Sequence, residues 1–182
     1  MQQMVICKSC GYIMAQSKLG DVCPACGVKA QMFIPHDERI SDKRKFLLVL
    51  DIHPILVHFT QAYTATILVL SLLALIVKPG WLASIVAVIT VLGYALPFTV
   101  IAAFASGLFD GKVRFRKVMT PLLVKKMVLG SVFFVLTCGI FACVMSNPLP
   151  LTIIAVLSAI AMVCASILGF WGVSLLNSRF PG

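Results

Sequence analysis

Polar and apolar positions divide the chain into two unlike parts. Residues 1–45 are polar and rich in cysteine, and the first long apolar run begins only after them. Residues 46–177 are mostly apolar. A bilayer crossing needs about 20 predominantly apolar residues. Four runs reach that length: Pro54 to Val77, Trp81 to Phe109, Met127 to Met145 (extended by Pro121 to Val124) and Leu149 to Leu176. Each is predicted as a helix. The connections Lys78-Pro79-Gly80 and Ser146-Asn147-Pro148 are short turns, so the helices they join run antiparallel. The link from Asp110 to Lys126 is longer and basic. Pro97 interrupts the second run and is expected to kink it.

Composition agrees with a membrane chain. Of 182 residues, 60% are hydrophobic and 12% charged, with mean hydropathy +1.05. Soluble domains run at about 45–50% apolar and about 25% charged. A wholly soluble globular protein and a disordered chain are both excluded. The start lacks a basic stretch followed by an apolar run, so a secretory signal is not expected.

The net charge of +9 arises from 15 Lys+Arg against 6 Asp+Glu. Its placement decides its meaning. Seven basic residues precede Phe46, six lie in the link between the second and third helices, and Arg179 follows the fourth. With four crossings these regions share one side, and Lys78 alone lies on the other. Such a bias sets orientation by the positive-inside rule. The expectation is a multi-pass protein of the inner (cytoplasmic) membrane with both termini cytoplasmic. The basic residues then serve topology and contact with anionic lipid rather than nucleic acid.

The most specific chemistry lies at the start. Cys7-Lys8-Ser9-Cys10-Gly11-Tyr12 is followed, after a 12-residue gap from Cys10, by Cys23-Pro24-Ala25-Cys26-Gly27. Two Cys-x-x-Cys pairs put four thiolates on two tight turns. Glycine after each pair lets the backbone turn with φ > 0. Four thiolates in a tetrahedron suit Zn²⁺ or an iron centre. A disulfide reading is weak in a reducing cytoplasm.

These residues resemble the short rubredoxin-like domain of rubrerythrins, over about Val5 to Phe33. The likeness rests on Cys-x-x-Cys-Gly-Tyr-Ile, the short gap, Cys-Pro-x-Cys-Gly, and Phe33 seven residues beyond Cys26. It implies one iron held by Cys7, Cys10, Cys23 and Cys26, with Tyr12 and Phe33 packed around it to limit water. Such shielding tunes a redox potential. The alternative is a structural zinc ribbon, although zinc ribbons more often have a gap of about 15–20 residues.

A second pattern opens the first helix: Asp51-Ile52-His53-Pro54-Ile55-Leu56-Val57-His58-Phe59. It resembles an uncharacterised family of four-helix bacterial membrane proteins with a His-Pro-x-x-Val-His-Phe motif. That family also has a small-residue and glycine turn ending its second helix, which Ser106-Gly107-Leu108-Phe109-Asp110 matches. The likeness implies architecture more than activity. His53 and His58 are five apart, so they point about 140° apart on an ideal helix. Either could be an axial ligand of haem b, or contact a quinone, or serve structure alone. Ionisable residues at this depth are functional candidates by default.

The expected whole is a small rubredoxin-like β/metal-ribbon domain at 1–35, a charged juxtamembrane segment at 36–50, and an all-α membrane domain of four transmembrane helices at 51–178. The expected function is one-electron transfer between a soluble redox donor and a membrane acceptor: haem, quinone or a partner protein of a membrane redox complex. A zinc scaffold for assembly or regulation is the alternative. Ala161, Ala165 and Gly169 form a small-residue stripe that favours close helix contact, within the bundle or in a homo-oligomer. The pattern shows no assembled catalytic set, so an electron-transfer protein or subunit is expected rather than a stand-alone enzyme.

Overall fold

The computed structural model describes residues 3–36, 46–47, 50–115 and 119–177, with the backbone alone for 114–115 and 174–177. Most of the charged 36–50 segment, the basic residues Arg116 and Lys117, and Arg179 lie outside the described residues. The chain divides into two compact units, one within Met1–Lys45 and one over Phe46–Gly172.

The first unit is built on three short antiparallel strands: β1 (Met4–Cys7), β2 (Ile13–Ala15) and β3 (Phe33–His36). β1 is central, with β2 and β3 on its two sides. Its register places Ile6 opposite both Ile13 and Ile34, and Cys7 opposite Phe33. Side chains alternate faces along a strand, so Val5 and Cys7 share the buried face. So few residues bury little apolar surface, and a unit this small ordinarily needs a metal or disulfides to hold its fold.

The second unit is four helices: α1 (Ile52–Ala74), α2 (Pro79–Phe115), α3 (Pro121–Val144) and α4 (Leu151–Asn177). Each is long and apolar enough to cross a membrane. Fully buried Ile67, Ile89, Leu96, Ile140 and Ile154 supply the core from all four helices. The outer surface is apolar too: Val69, Val91, Val135 and Phe170, one on each helix, are all exposed. A soluble bundle would carry polar residues there, whereas helices apolar on every side belong in lipid. This unit therefore has the surface of a multi-pass membrane protein.

Buried hydroxyls obey the same logic. With no water to bond, they turn back on their own helix. Thr60 donates to the Val57 carbonyl at 2.8 Å, Thr64 to Thr60 at 2.8 Å, Ser71 to Ile67 at 2.6 Å and Thr137 to Phe134 at 2.7 Å. Ser158 Oγ has no hydrogen-bond partner among the described residues.

α3 starts at Pro121, so the short apolar run before Met127 is part of it. Proline fits there because the first turn needs no N–H bond. α2 continues through Pro97 and then through Ser106–Asp110, where the sequence suggested a turn. Gly107 serves a helix contact instead. A Cβ built on it would lie 2.8 Å from His53 Cε1 on α1. Ala161 and Ala165 are buried within the unit. Gln61 of α1 donates to the Ala165 carbonyl at 3.3 Å, so this small-residue stripe is used inside the chain.

Candidate metal centre

Two turns of like geometry build the centre. In the first, the Gly11 N–H donates to the Cys7 carbonyl at 2.8 Å, and the Cys7 N–H to the Tyr12 carbonyl at 2.9 Å. In the second, the Gly27 N–H donates to the Cys23 carbonyl at 2.9 Å, and the Cys23 N–H to the Val28 carbonyl at 2.7 Å. Gly11 and Gly27 have φ of 74° and 75°. An L side chain resists this left-handed conformation, so a glycine after each pair is what the turn demands. The first turn is tied to the residue before β3 at Lys8, whose N–H donates to the Met32 carbonyl at 2.9 Å, and the second is closed by an isolated Val22–Lys29 bridge outside the sheet.

The turns bring the four sulfurs together. All lie within 4.8 Å of one another. Cys7 Sγ is 3.9 Å from Cys26 Sγ, and Cys10 Sγ is 3.8 Å from Cys23 Sγ. A tetrahedral metal with bonds of about 2.3 Å to sulfur has S···S edges of about 3.8 Å. The spacing therefore fits a four-thiolate metal site, while a disulfide would need sulfurs about 2.05 Å apart.

The sulfurs differ in surroundings. Cys7 and Cys23 are each 1% exposed, Cys10 is half-buried, and Cys26 is exposed. One edge of the centre, at Cys10 and Cys26, thus meets solvent. Phe33 is half-buried and opposite Cys7 across the β1–β3 ladder. Tyr12 bonds to the centre through its backbone, and the residue is 42% exposed.

The metal-free thiols share their protons unequally. Burial opposes ionisation of Cys23, but bonds from the Cys26 and Ala25 N–H groups and the Cys26 and Cys10 thiols outweigh it and lower the thiol from 9.0 to about 7. The Tyr12 N–H favours a thiolate at Cys10. Burial and the bonds shared with Cys26, Cys7 and Cys23 prevail there and raise it to about 12. Backbone N–H groups aimed at sulfur are already in place to support thiolate ligands.

The histidines take separate positions in the helical unit. His53 is half-buried and packs on α2, with Nδ1 3.0 Å from the Ala103 carbonyl and 3.2 Å from Ser106 Oγ. His58 is exposed, and its Nδ1 is 2.6 Å from the Pro54 carbonyl. In both, Nδ1 carries the proton when it donates to a carbonyl, which makes Nε2 the lone-pair nitrogen. Cys138, Cys143 and Cys164 join no group of metal-ligating atoms among the described residues.

Residues 6–34 match the family model for the rubredoxin-like domain of rubrerythrin. No curated protein and no solved structure matches the chain. The match spans all four cysteines and stops short of the helical unit. The architecture is thus a small rubredoxin-like unit with a four-cysteine metal site, joined to four apolar helices.

Proposed function

We propose that the chain is a membrane-anchored one-electron carrier, with one iron held by Cys7, Cys10, Cys23 and Cys26. The observation that carries this reading is a rubredoxin-type four-sulfur site of tetrahedral spacing with one edge open to solvent. Iron bound there supplies a ferric/ferrous couple. The chain's part is to keep the same four ligands in both states. Buried Cys7 and Cys23 and the N–H groups around them fix that geometry. The exposed Cys10–Cys26 edge gives a short path to a partner's cofactor, and Phe33 shields the side next to β1. The helices raise the local concentration of the carrier beside membrane partners.

The metal unit, the basic link and the C-terminal end face the cytoplasm of the inner membrane in this reading, as the charge distribution favours. Electrons pass from a soluble cytoplasmic donor to a membrane acceptor: haem, quinone or a partner protein. His58 is the candidate contact. It is exposed on α1 with Nδ1 committed to Pro54, which turns Nε2 to the ligand role for haem b or a hydrogen bond to quinone. His53 is a weaker candidate, because its Nδ1 already ties α1 to α2.

Metal analysis with visible absorption of the detergent-purified chain, oxidised and then reduced, tests the reading. About one iron per chain with thiolate-to-iron absorption that bleaches on reduction is the expected result. Cys10→Ser or Cys26→Ser should abolish that signal and leave membrane insertion intact. Zinc without a visible band would refute the carrier. It would favour the second reading, a structural zinc site on a membrane scaffold, which the same sulfur spacing accommodates. A haem band lost in His58→Ala would assign the acceptor.

A further inference from the structure

The open edge of the metal centre has a chemical character of its own. Lys8 lies inside the first cysteine turn and is exposed, and its backbone is bonded to Met32. Lys29 is exposed and paired with Val22, next to Cys23. Tyr12, Val22 and Met32, all adjoining the two turns, are exposed apolar side chains at 42%, 52% and 40%. With Lys18, the described residues of this unit carry three lysines against one acid, Asp21. A site of four thiolates around a di- or trivalent ion is itself net anionic, so the lysines offset its charge and place positive groups where an approaching molecule arrives.

Apolar contacts beside the reacting centre with a charged rim are the anatomy of a protein docking site. The rim charge steers encounter and selects the partner. We propose that the Cys10–Cys26 edge, rimmed by Lys8 and Lys29, docks a soluble one-electron carrier protein whose contacting face is acidic. The proposal rests on the electron-carrier reading above. The transfer moves one electron between the partner's cofactor and the four-thiolate centre; no bond is made or broken and no proton moves. A protein fits better than the membrane surface. Basic segments that hold anionic lipid carry about four to eight Lys/Arg, and the exposed apolar residues here adjoin the two cysteine turns.

The test has two arms on the full-length protein in detergent. In the first, the zinc-loaded, ¹⁵N-labelled chain is titrated with hexacyanochromate(III), an inert paramagnetic trianion. Amides of Lys8, Tyr12 and Lys29 should broaden first, and the effect should fade between about 10 and about 200 mM salt as charges are screened. The K8E/K29E double variant should lose it while still binding zinc. Broadening no stronger there than at Lys78 or Lys112, or unchanged in the double variant, would overturn the proposal. So would protection of these amides in phosphatidylglycerol nanodiscs but not in phosphatidylcholine ones, which would make the membrane the occupant.

In the second arm, the reduced iron-loaded chain is oxidised by anionic hexacyanoferrate(III) or cationic hexaammineruthenium(III). The double variant should slow the first reaction about tenfold and not the second. Equal slowing of both would mean damage to the centre and would also overturn the proposal. Zinc is redox-silent, so the trianion map fails or succeeds independently of the carrier reading, which fails on the iron spectrum.

Discussion

Gly27→Ala isolates one energetic contribution to the metal centre. A Cβ at Gly27 would meet nothing within 4 Å, so the substitution creates no clash. The N–H that donates to the Cys23 carbonyl is also kept. What changes is the tolerance of the backbone for φ of 75°. Holding an L residue in that region costs about 1–2 kcal/mol. Restricting the unfolded chain gives back about 0.4–1 kcal/mol. The balance is a loss of about 1 kcal/mol. In a unit this small, folding and metal binding are one equilibrium, so the loss appears as roughly fivefold weaker metal binding. Competition against a chromophoric chelator on the full-length protein measures it. Gly20→Ala is the control: it too has open space within 4 Å, but no left-handed φ. It should bind metal as the parent does or slightly tighter. Gly27→Asn should fall between, since asparagine enters the left-handed region more readily. Equal affinities for Gly27→Ala and Gly20→Ala would refute the reasoning.

Three further outcomes are expected. Gly107→Ala should destabilise the helical unit, because its Cβ would press on the His53 ring at 2.8 Å; overpacking of about 1–3 kcal/mol is only partly offset by a helix-propensity gain of about 1 kcal/mol. Thermal unfolding in detergent should show the loss, and His53→Ala in the same chain should relieve it. Ser158→Ala removes a buried hydroxyl without a partner, so the same assay should find it neutral or stabilising by up to about 1 kcal/mol; a clear loss would reveal a partner for that oxygen. Metal binding by the N-terminal unit should weaken as pH falls, because protons compete with the metal for each thiol. Cys23, lowered to about 7, resists that competition, and Cys10, raised to about 12, yields to it first. Equal metal affinity at about pH 6 and about pH 8 in the chelator competition would contradict this.

The cysteines and the apolar helices were legible because both are local patterns. Two Cys-x-x-Cys-Gly turns carry their geometry in five residues each, and the predicted helix centres agree with the observed ones. What the sequence could not show depends on contacts distant along the chain. Cys7 is buried at the end of β1, opposite Phe33 across the β1–β3 ladder, while Cys26 lies on a turn outside the strands and is exposed. His53 and Gly107 each stood out, yet nothing local shows that the ring of one rests on the other. The end of α2 was misplaced for a related reason. The apolar run stops at Phe109, but backbone hydrogen bonding continues past Asp110 and Lys112 to Phe115.

That long helix gives bilayer thickness a mechanical role. The 37 residues of α2 extend about 55 Å at 1.5 Å per residue, against a hydrocarbon layer of about 30 Å. The 23 residues of α1 extend only about 35 Å. The His53 contact at Gly107 pins the start of α1 against α2, with about 12 Å of α2 running on beyond it. The apolar run of α2, Trp81 to Phe109, takes up about 44 Å of its length, and the stretch beyond it carries Asp110 and Lys112. Lipid therefore still meets a longer apolar wall at α2 than at α1. Tilting α2 is the ordinary relief for such mismatch, but here tilt must also drag the pinned end of α1. Thin bilayers should load that joint, and thicker ones should relax it and retain the protein.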